Sequence, residues 1–308
     1  MPAESTLNFK YVDNVATNPS HGGTNSTGVH LGVRPAGAVW VNTVTGKRFH
    51  QLPTGNNAVL PACELVDRFV LTERFLQRPV LNADLASGTE ATREPANNNW
   101  EVLGTNATSA LTTFADGGGI TLTTAGASGD LNVIAPHLDT AQTAWAAAKW
   151  NTNDEISFET TVKTGASVAN MKFWAGFKLT NTSVTATDDD QAYFLFDTGN
   201  TNAVSATNIQ ICTSRAGTDT VVDSGVTVEA STSYHLLLQV DQHGVPYFFI
   251  NGVLVAIGNG TESTGVTTST GALTANIDLI PYVGVHALAA AAKSITVRGV
   301  VCGKTMND

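Results

Sequence analysis

The run VPYFFINGVLVAIG, from Val245 to Gly258, constrains the fold more than any other stretch of the chain. Two apolar arms flank Asn251-Gly252. Asn-Gly between apolar runs marks a tight β-hairpin, because both central turn positions need φ > 0. The turn sets Ile250 opposite Val253 and Phe248 opposite Val255. Side chains alternate between faces along a strand. Phe248, Ile250, Val253, Val255 and Ile257 therefore share one face, and Tyr247, Phe249, Leu254 and Ala256 the other. Neither face is polar, so the hairpin needs the core of a sandwich on one side and a second element, a helix or a neighbouring copy, on the other.

The same texture extends over the rear of the chain. Strands are expected at Ile120–Thr124, Leu131–Ile134, Glu155–Lys163, Met171–Leu179, Ala192–Asp197, Ile209–Thr213, Tyr234–Asp241, Val245–Ile250, Val253–Ile257, Ile277–Val285 and Ser294–Cys302. Turn signals separate them at Asp116 (DGGG), Ala127 (ASGD), Asp241 (DQHG) and Asn251 (NG). Many short strands with regular turns predict an all-β sandwich or barrel and not a parallel α/β sheet. The front is different. Residues 1–61 are polar and rich in Gly and Asn, and form an extended arm with one hairpin, AVWVNTVTGKRFHQL, turning at Thr45-Gly46. An isolated ribbon is marginal in water, so the arm is expected to dock on a partner or a sister subunit through Trp40, Arg48, Phe49 and His50. Between arm and sandwich, residues 62–79 are expected to form a short helix. In PACELVDRFVLTERFLQ the residues Leu65, Phe69, Thr72 and Leu76 recur at helical spacing, and Pro79 closes the run. This helix is either a connector or an interface element presenting Phe69 and Phe75. A further helical turn is expected from Asp139 to Trp150. Residues 80–308 make the sandwich.

Composition narrows the function. Charged residues are 14% of the chain against 42% hydrophobic, below the usual charged share of about 25%. The formal net charge is −10, and Lys and Arg form no cluster, so nucleic-acid binding lacks its electrostatic footprint. The three cysteines, Cys63, Cys212 and Cys302, are widely spaced and read as buried thiols, not as a zinc site or a disulfide framework. No apolar run approaches the roughly 18 residues of a membrane span. The N-terminal residues lack the pattern of a secretory signal, so synthesis in a reducing cytoplasm is expected.

The segment STSYHLLLQVDQHGVPYFFINGVLVAIG, followed by IDLIPYVGVHALAAAAKSITVRGVVCG, resembles the C-terminal half of a concanavalin-A-like (laminin-G-like) jelly-roll sandwich. ISFETTVKTG, NMKFWAGFKLTNT, TDDDQAYFLF and AAAKSITVRGV are similar to segments of such domains in structural proteins of tailed-bacteriophage particles. The resemblance implies a virion protein, made in the host cytoplasm, of the head-decoration or cement type. Its arm would bind the major capsid protein or other virion proteins. It would be a homo-oligomer (trimer or dimer), with no cofactor and no catalytic role. A fibre or spike that binds a host-surface glycan is the alternative, and a polysaccharide-degrading enzyme the third.

The enzyme reading turns on Glu155 and Glu159. In DEISFE they alternate onto one strand face, but Ser157 stands where glycosidases of this fold carry a central acid, so a solvated outer face is expected. Asp188, Asp189 and Asp190 offer hard oxygens to Ca²⁺, yet adjacent acids alternate in direction and read as a turn before the next strand. The seven histidines fall in separate segments with no metal-ligand spacing. Trp174 is expected in the core, and Trp145 and Trp150 around the small helix.

Overall fold

The computed structural model describes residues 69–76, 79, 100–108, 110–136, 149–179, 188–199, 204–258 and 272–305, with the backbone alone at 11–13, 39–42, 48–51, 57–60, 68, 80–81 and 109. The chain divides into two compact units, Met1–Arg68 with Glu262–Gly265, and Phe69–Thr261 with Val266–Asp308.

The first unit carries a sheet of β1 (Tyr11–Asp13), β2 (Val39–Asn42), β3 (Arg48–Gln51) and β4 (Asn57–Leu60) in that order. β2 and β3 form the expected hairpin, with Trp40 opposite Phe49. β1 adds to it in parallel and β4 antiparallel.

The second unit is an antiparallel sandwich of two sheets. Its strands are β5 (Arg68–Glu73), β6 (Val80–Leu81), β7 (Trp100–Leu103), β8 (Thr112–Phe114), β9 (Ile120–Thr123), β10 (Leu131–Pro136), β11 (Trp150–Asn151), β12 (Ser157–Thr164), β13 (Met171–Lys178), β14 (Gln191–Asp197), β15 (Asn208–Arg215), β16 (Thr218–Thr227), β17 (Ser233–Val240), β18 (Pro246–Ile250), β19 (Val253–Ile257), β20 (Asp278–Ala287) and β21 (Ser294–Thr305). A nine-stranded sheet runs β16-β15-β14-β13-β20-β10-β7-β6, with β11 beside β20. An eight-stranded sheet runs β19-β18-β17-β12-β21-β9-β8, with β5 beside β21. Phe173, Phe177, Phe194 and Phe196 of the first sheet meet Phe158, Leu236, Leu238 and Phe248 of the second in one core. Phe158 packs edge-on to Phe177 at 5.8 Å, and Phe194 edge-on to Phe248 at 5.3 Å. Such crossed aromatic pairs add to the burial that holds the sheets together.

The Asn-Gly hairpin forms as β18 and β19, with Asn251 and Gly252 at positive φ and Ile250 opposite Val253. The Asn251 side chain and backbone N–H both bond the backbone of His235 on β17. The register then shifts between Phe248 and Phe249, so Phe248 faces Ala256 instead of Val255. This bulge turns Ala256 into the shared core and leaves Val255 packed at its margin. The other face is covered too: Phe249 is 5% and Ile257 0% exposed.

The expected helix over 62–79 is corrected. Residues 68–73 form strand β5, paired with β21, and residues 61–67 lie outside the described residues. Burial follows period two: Leu71 and Phe75 are buried, Val70 and Leu76 exposed. The helical spacing instead groups Phe69, Thr72 and Leu76, of which Phe69 is half-buried and Thr72 and Leu76 are exposed. Phe69, Val70 and Thr72 are aromatic or β-branched and suit a pleated surface, and β21 supplies the partner. Phe75 ends the segment at positive φ, its N–H donating to the Glu73 carboxylate. Residues 139–148, where the second helix was expected, lie outside the described residues, and Trp150 begins β11. β16 was not expected at all. Its sequence, TDTVVDSGVT, is too polar to announce a strand, and it forms the exposed edge of the larger sheet, where charge discourages further pairing.

Candidate functional site

The residues singled out by sequence do not converge. Trp40, Arg48, Phe49 and His50 lie on β2 and β3, whose side chains are outside the described residues. Phe69 and Phe75, expected at an interface, pack on the sandwich's own core: Phe69 edge-on to Trp150 at 6.3 Å, Phe75 edge-on to Trp100 at 6.0 Å. Glu155 sits before β12 at φ 50°, which breaks its alternation with Glu159. Glu159 stands on the outer face of the smaller sheet and meets His235 Nε2 at 2.7 Å, with both side chains 40% or more exposed. That pair borders a shallow cleft with Glu73, Arg74, Thr161 and Arg298. Asp188, Asp189 and Asp190 separate: Asp188 pairs with Lys178 at 3.7 Å, Asp190 accepts the Ala216 N–H at 3.4 Å, and Asp189 is exposed. The expected solvated turn is thus corrected for Asp188 and Asp190, which are buried. Among the described residues no group of His, Cys, Asp and Glu is arranged to hold a metal ion.

A different surface stands out. On β13, Met171, Phe173, Ala175 and Phe177 enter the shared core, so Lys172, Trp174, Gly176 and Lys178 occupy the opposite, outer face. The registers line these positions up in rows across the sheet. One row runs Ser214, Gln191, Lys178, Ile280. The next runs Val221, Cys212, Tyr193, Gly176, Tyr282. A third runs Asp223, Gln210, Leu195, Trp174, Gly284, Val133, Leu103, and a fourth Asp197, Lys172, His286, Leu131. From β16 to β7 the face is about 30 Å wide at the usual strand spacing.

An outer face is ordinarily the wet side of an antiparallel sheet. Here Trp174, Ser214 and Asp197 are 0% exposed, Gln191 2%, Tyr282 3% and Tyr193 5%. Leu131, Val133, Ala135, Trp174, Tyr193, Leu195, Cys212 and Tyr282 form a second apolar cluster, separate from the shared core. Tyr282 lies between the other two rings, 6.1 Å from Tyr193 and 6.4 Å from Trp174. The indole lies against Gly284, where an added Cβ would stand 2.5 Å from the ring. Only glycine lets the tryptophan lie that close to the sheet.

The two buried lysines on this face are paired. Lys172 Nζ meets Asp197 Oδ2 at 2.9 Å, and Asp197 Oδ1 also accepts the Gly199 N–H. Lys178 Nζ pairs with Asp188 and sits 5.4 Å above the Tyr282 ring. Burial moves each titratable group toward its neutral form. The Cys212 thiol is pushed up to about 12, and the Tyr193 and Tyr282 hydroxyls are held well above the usual phenol value. The Lys178 ammonium is lowered by burial against the pull of Asp188. His286 is lowered by burial and then by neighbouring Lys172. On this face Trp174 Nε1, Tyr282 Oη, Gln191 Oε1 and Ser214 Oγ are buried with no hydrogen-bond partner among the described residues, as are Trp100 Nε1 and Trp150 Nε1 in the shared core. An unpaired buried polar atom costs about 1–3 kcal/mol, and native proteins keep few of them.

Trp174, expected in the core, is fully buried in the second apolar cluster; the outer face it belongs to was not expected. The signal was there in two alternations, Lys-x-Trp-x-Gly-x-Lys on β13 and Gln-x-Tyr-x-Leu-x-Asp on β14, which set aromatic and polar groups opposite an all-apolar inner face.

No known protein family matches the sequence, and no curated protein matches it. Among solved structures, similar chains include the carbohydrate recognition domain of Emp47p (TM-score 0.48, 9% identity, covering 80% of this chain and 100% of that one). A protein of unknown function from Shewanella oneidensis MR-1 gives a TM-score of 0.46 at 13% identity, covering 80% and 90%. Alginate lyase A1-II′, of polysaccharide lyase family 7, gives 0.42 at 12% identity, covering 65% and 86%.

Proposed function

We propose that the sandwich is a glycan-binding module that performs no chemistry on its ligand, and that residues 1–61 attach it to a tailed-phage particle. What supports the first part is the make-up of the larger sheet's outer face, where Trp174, Tyr193 and Tyr282 stand among polar atoms that have no partner among the described residues. These rings are 0–5% exposed, so the face must open to admit a ligand. A sugar ring has an apolar C–H face that rests on aromatic rings and a rim of hydroxyls that both donate and accept. Binding sites of this kind combine aromatic surface with a few placed polar groups. At this depth a hydrogen bond is also stronger than at an open surface.

The carboxylate pair that the sequence offered for catalysis is not assembled among the described residues. Glu155 and Glu159 do not share a strand face, Glu159 is engaged with His235, and on the aromatic face Asp188 and Asp197 are each held by a lysine. The concanavalin-A-like jelly roll rests on the resemblance of the stretch from Ser231 to Gly258 and of that from Ile277 to Gly303, and the virion setting on the four segments similar to tailed-phage structural proteins. Two compact units suit a molecule that docks with one part and displays the other. A lattice of copies would multiply weak single-site binding.

A glycan array of bacterial surface polysaccharides tests the first part. Binding to a defined subset is expected, with no release of reducing ends on incubation. Failure to bind any glycan refutes it. Gel densitometry of intact particles tests the setting: the protein is expected at a copy number matching a repeated capsid position, and its absence from particles refutes that placement.

A further inference from the structure

We propose that the shallow cleft on the outer face of the smaller sheet is a second binding site, which takes the carboxylate of a small organic acid on Arg298. It stands apart from the glycan reading, because it lies on the other sheet. Two features of β21 build the cleft. Thr160 faces Val300 and Val162 faces Val297, so Arg298 and Gly299 share the single partner Thr161. A bulge of this kind re-aims side chains. A Cβ at Gly299 would stand 2.9 Å from the Glu73 carbonyl oxygen, so glycine there lets the end of β5 close one side. The resulting space is about 170 Å³.

The DGGG turn then fixes the arginine. Gly117, Gly118 and Gly119 all lie at positive φ, where glycine alone is unstrained. A Cβ at Gly119 would fall 2.1 Å from the Val297 carbonyl oxygen, so the turn is pressed onto β21. Its Asp116 and Gly118 carbonyls each accept a hydrogen bond from Arg298 Nη1 at 3.0 Å. Those bonds use both Nη1 hydrogens. The Nε–Nη2 edge, which can make two parallel bonds to a carboxylate, has no partner among the described residues. The acids of the cleft do not take it: Glu159 meets His235, and Glu73 accepts the Phe75 N–H. Arg74, the other cation lining the cleft, also meets no carboxylate among the described residues.

The same two acids limit the charge of the ligand. One carboxylate matches the guanidinium. A dianion would set a second negative charge beside Glu73 and Glu159, and juxtaposed like charges are disfavoured. Carboxylate is therefore expected to rank above phosphate.

An NMR titration of the full chain at fixed ionic strength tests this, with acetate, its uncharged isostere acetamide and inorganic phosphate as probes. Acetate is expected to move the signals of Arg298 Nε–H, Thr161 and Gly117 to Gly119, and to bind at least about fivefold tighter than acetamide. Arg298→Lys keeps the charge but loses the fork, and is expected to weaken acetate about fivefold or more, its fold checked by thermal melting. Glu159→Gln removes a repelling charge and is expected to tighten acetate about twofold. Acetate shifts confined to other parts of the chain, equal binding of acetamide, or a folded Arg298→Lys that binds acetate as tightly as before overturns the site. Should Arg298→Lys fail to fold, the shifts and the acetamide comparison in the unaltered chain decide. Phosphate binding more tightly than acetate, or no gain in Glu159→Gln, overturns the charge limit.

Discussion

The outer faces of the two sheets obey the same alternation yet end in opposite states. On the smaller sheet, β12 alternates strictly between buried and half-exposed residues. Ser157, Glu159, Thr161 and Lys163 face outward, and the Glu159–His235 pair sits in reach of water. On the larger sheet, β13 and β14 are buried along their whole length. The outer positions of β13 and β14 are Lys, Trp, Gly, Gln, Tyr, Leu and Asp. An ion pair, a ring or a glutamine therefore means different things on the two faces: decoration on one, and on the other an expense in stability that folding alone does not explain. Groups that cost stability without packing benefit are concentrated where proteins function.

Substitutions that treat the two faces alike should sharpen this contrast. Asp197→Ala strands the buried Lys172 ammonium and is expected to cost about 3–5 kcal/mol in urea denaturation, whereas a cost below 1 kcal/mol would mean that Lys172 reaches solvent. Gly284→Ala pushes a methyl into the Trp174 ring and is expected to cost about 1–3 kcal/mol, with a change in tryptophan fluorescence. Unchanged emission would dissociate the glycine from the indole. On the smaller sheet, Glu159→Gln alters the Glu159–His235 contact, of similar length at 2.7 Å, but is expected to cost no more than about 1 kcal/mol, because that contact is wet. A loss comparable to that of Asp197→Ala would erase the distinction between the faces.

Acid should act on the larger sheet by the least amount. His286 is depressed by burial in the folded chain, so below an ordinary histidine value of about 6.5 the unfolded chain binds more protons. Stability is then expected to fall as pH drops from there through the lowered folded value. His286→Asn should flatten that part of the stability profile, and an identical profile in the variant would clear His286 of the effect.

Much of the architecture was legible because it is local. Asn251-Gly252 specified its turn, and the alternations in β12, β13, β17 and β20 specified strands. What escaped depended on partners distant in sequence. Residues 68–73 scan as helix or strand, and only the waiting edge of β21 decides the matter. Val255 left its expected position because a bulge, invisible to periodicity, re-aimed Ala256. β16 is polar enough to pass for a loop until β15 offers it hydrogen bonds. The aromatic face was half-legible: its residues stood in plain alternation, but nothing in Trp174 or Tyr282 alone says that a sheet's outer side would be withdrawn from water. Glu155 and Asp188 drew attention by type, and the structure sends each to a separate task.

Glycan binding at this face depends on Tyr282 Oη, which has no partner among the described residues. Tyr282→Phe, followed by thermal melting and by glycan titration, addresses that directly. Deleting a buried hydroxyl that has no partner should leave the free protein as stable or raise stability by about 1 kcal/mol, while glycan affinity falls by roughly tenfold, the equivalent of about 1.4 kcal/mol. A variant that melts earlier and binds glycan as tightly as before would show that the hydroxyl serves the fold, and that the face is a second core with no ligand to hold.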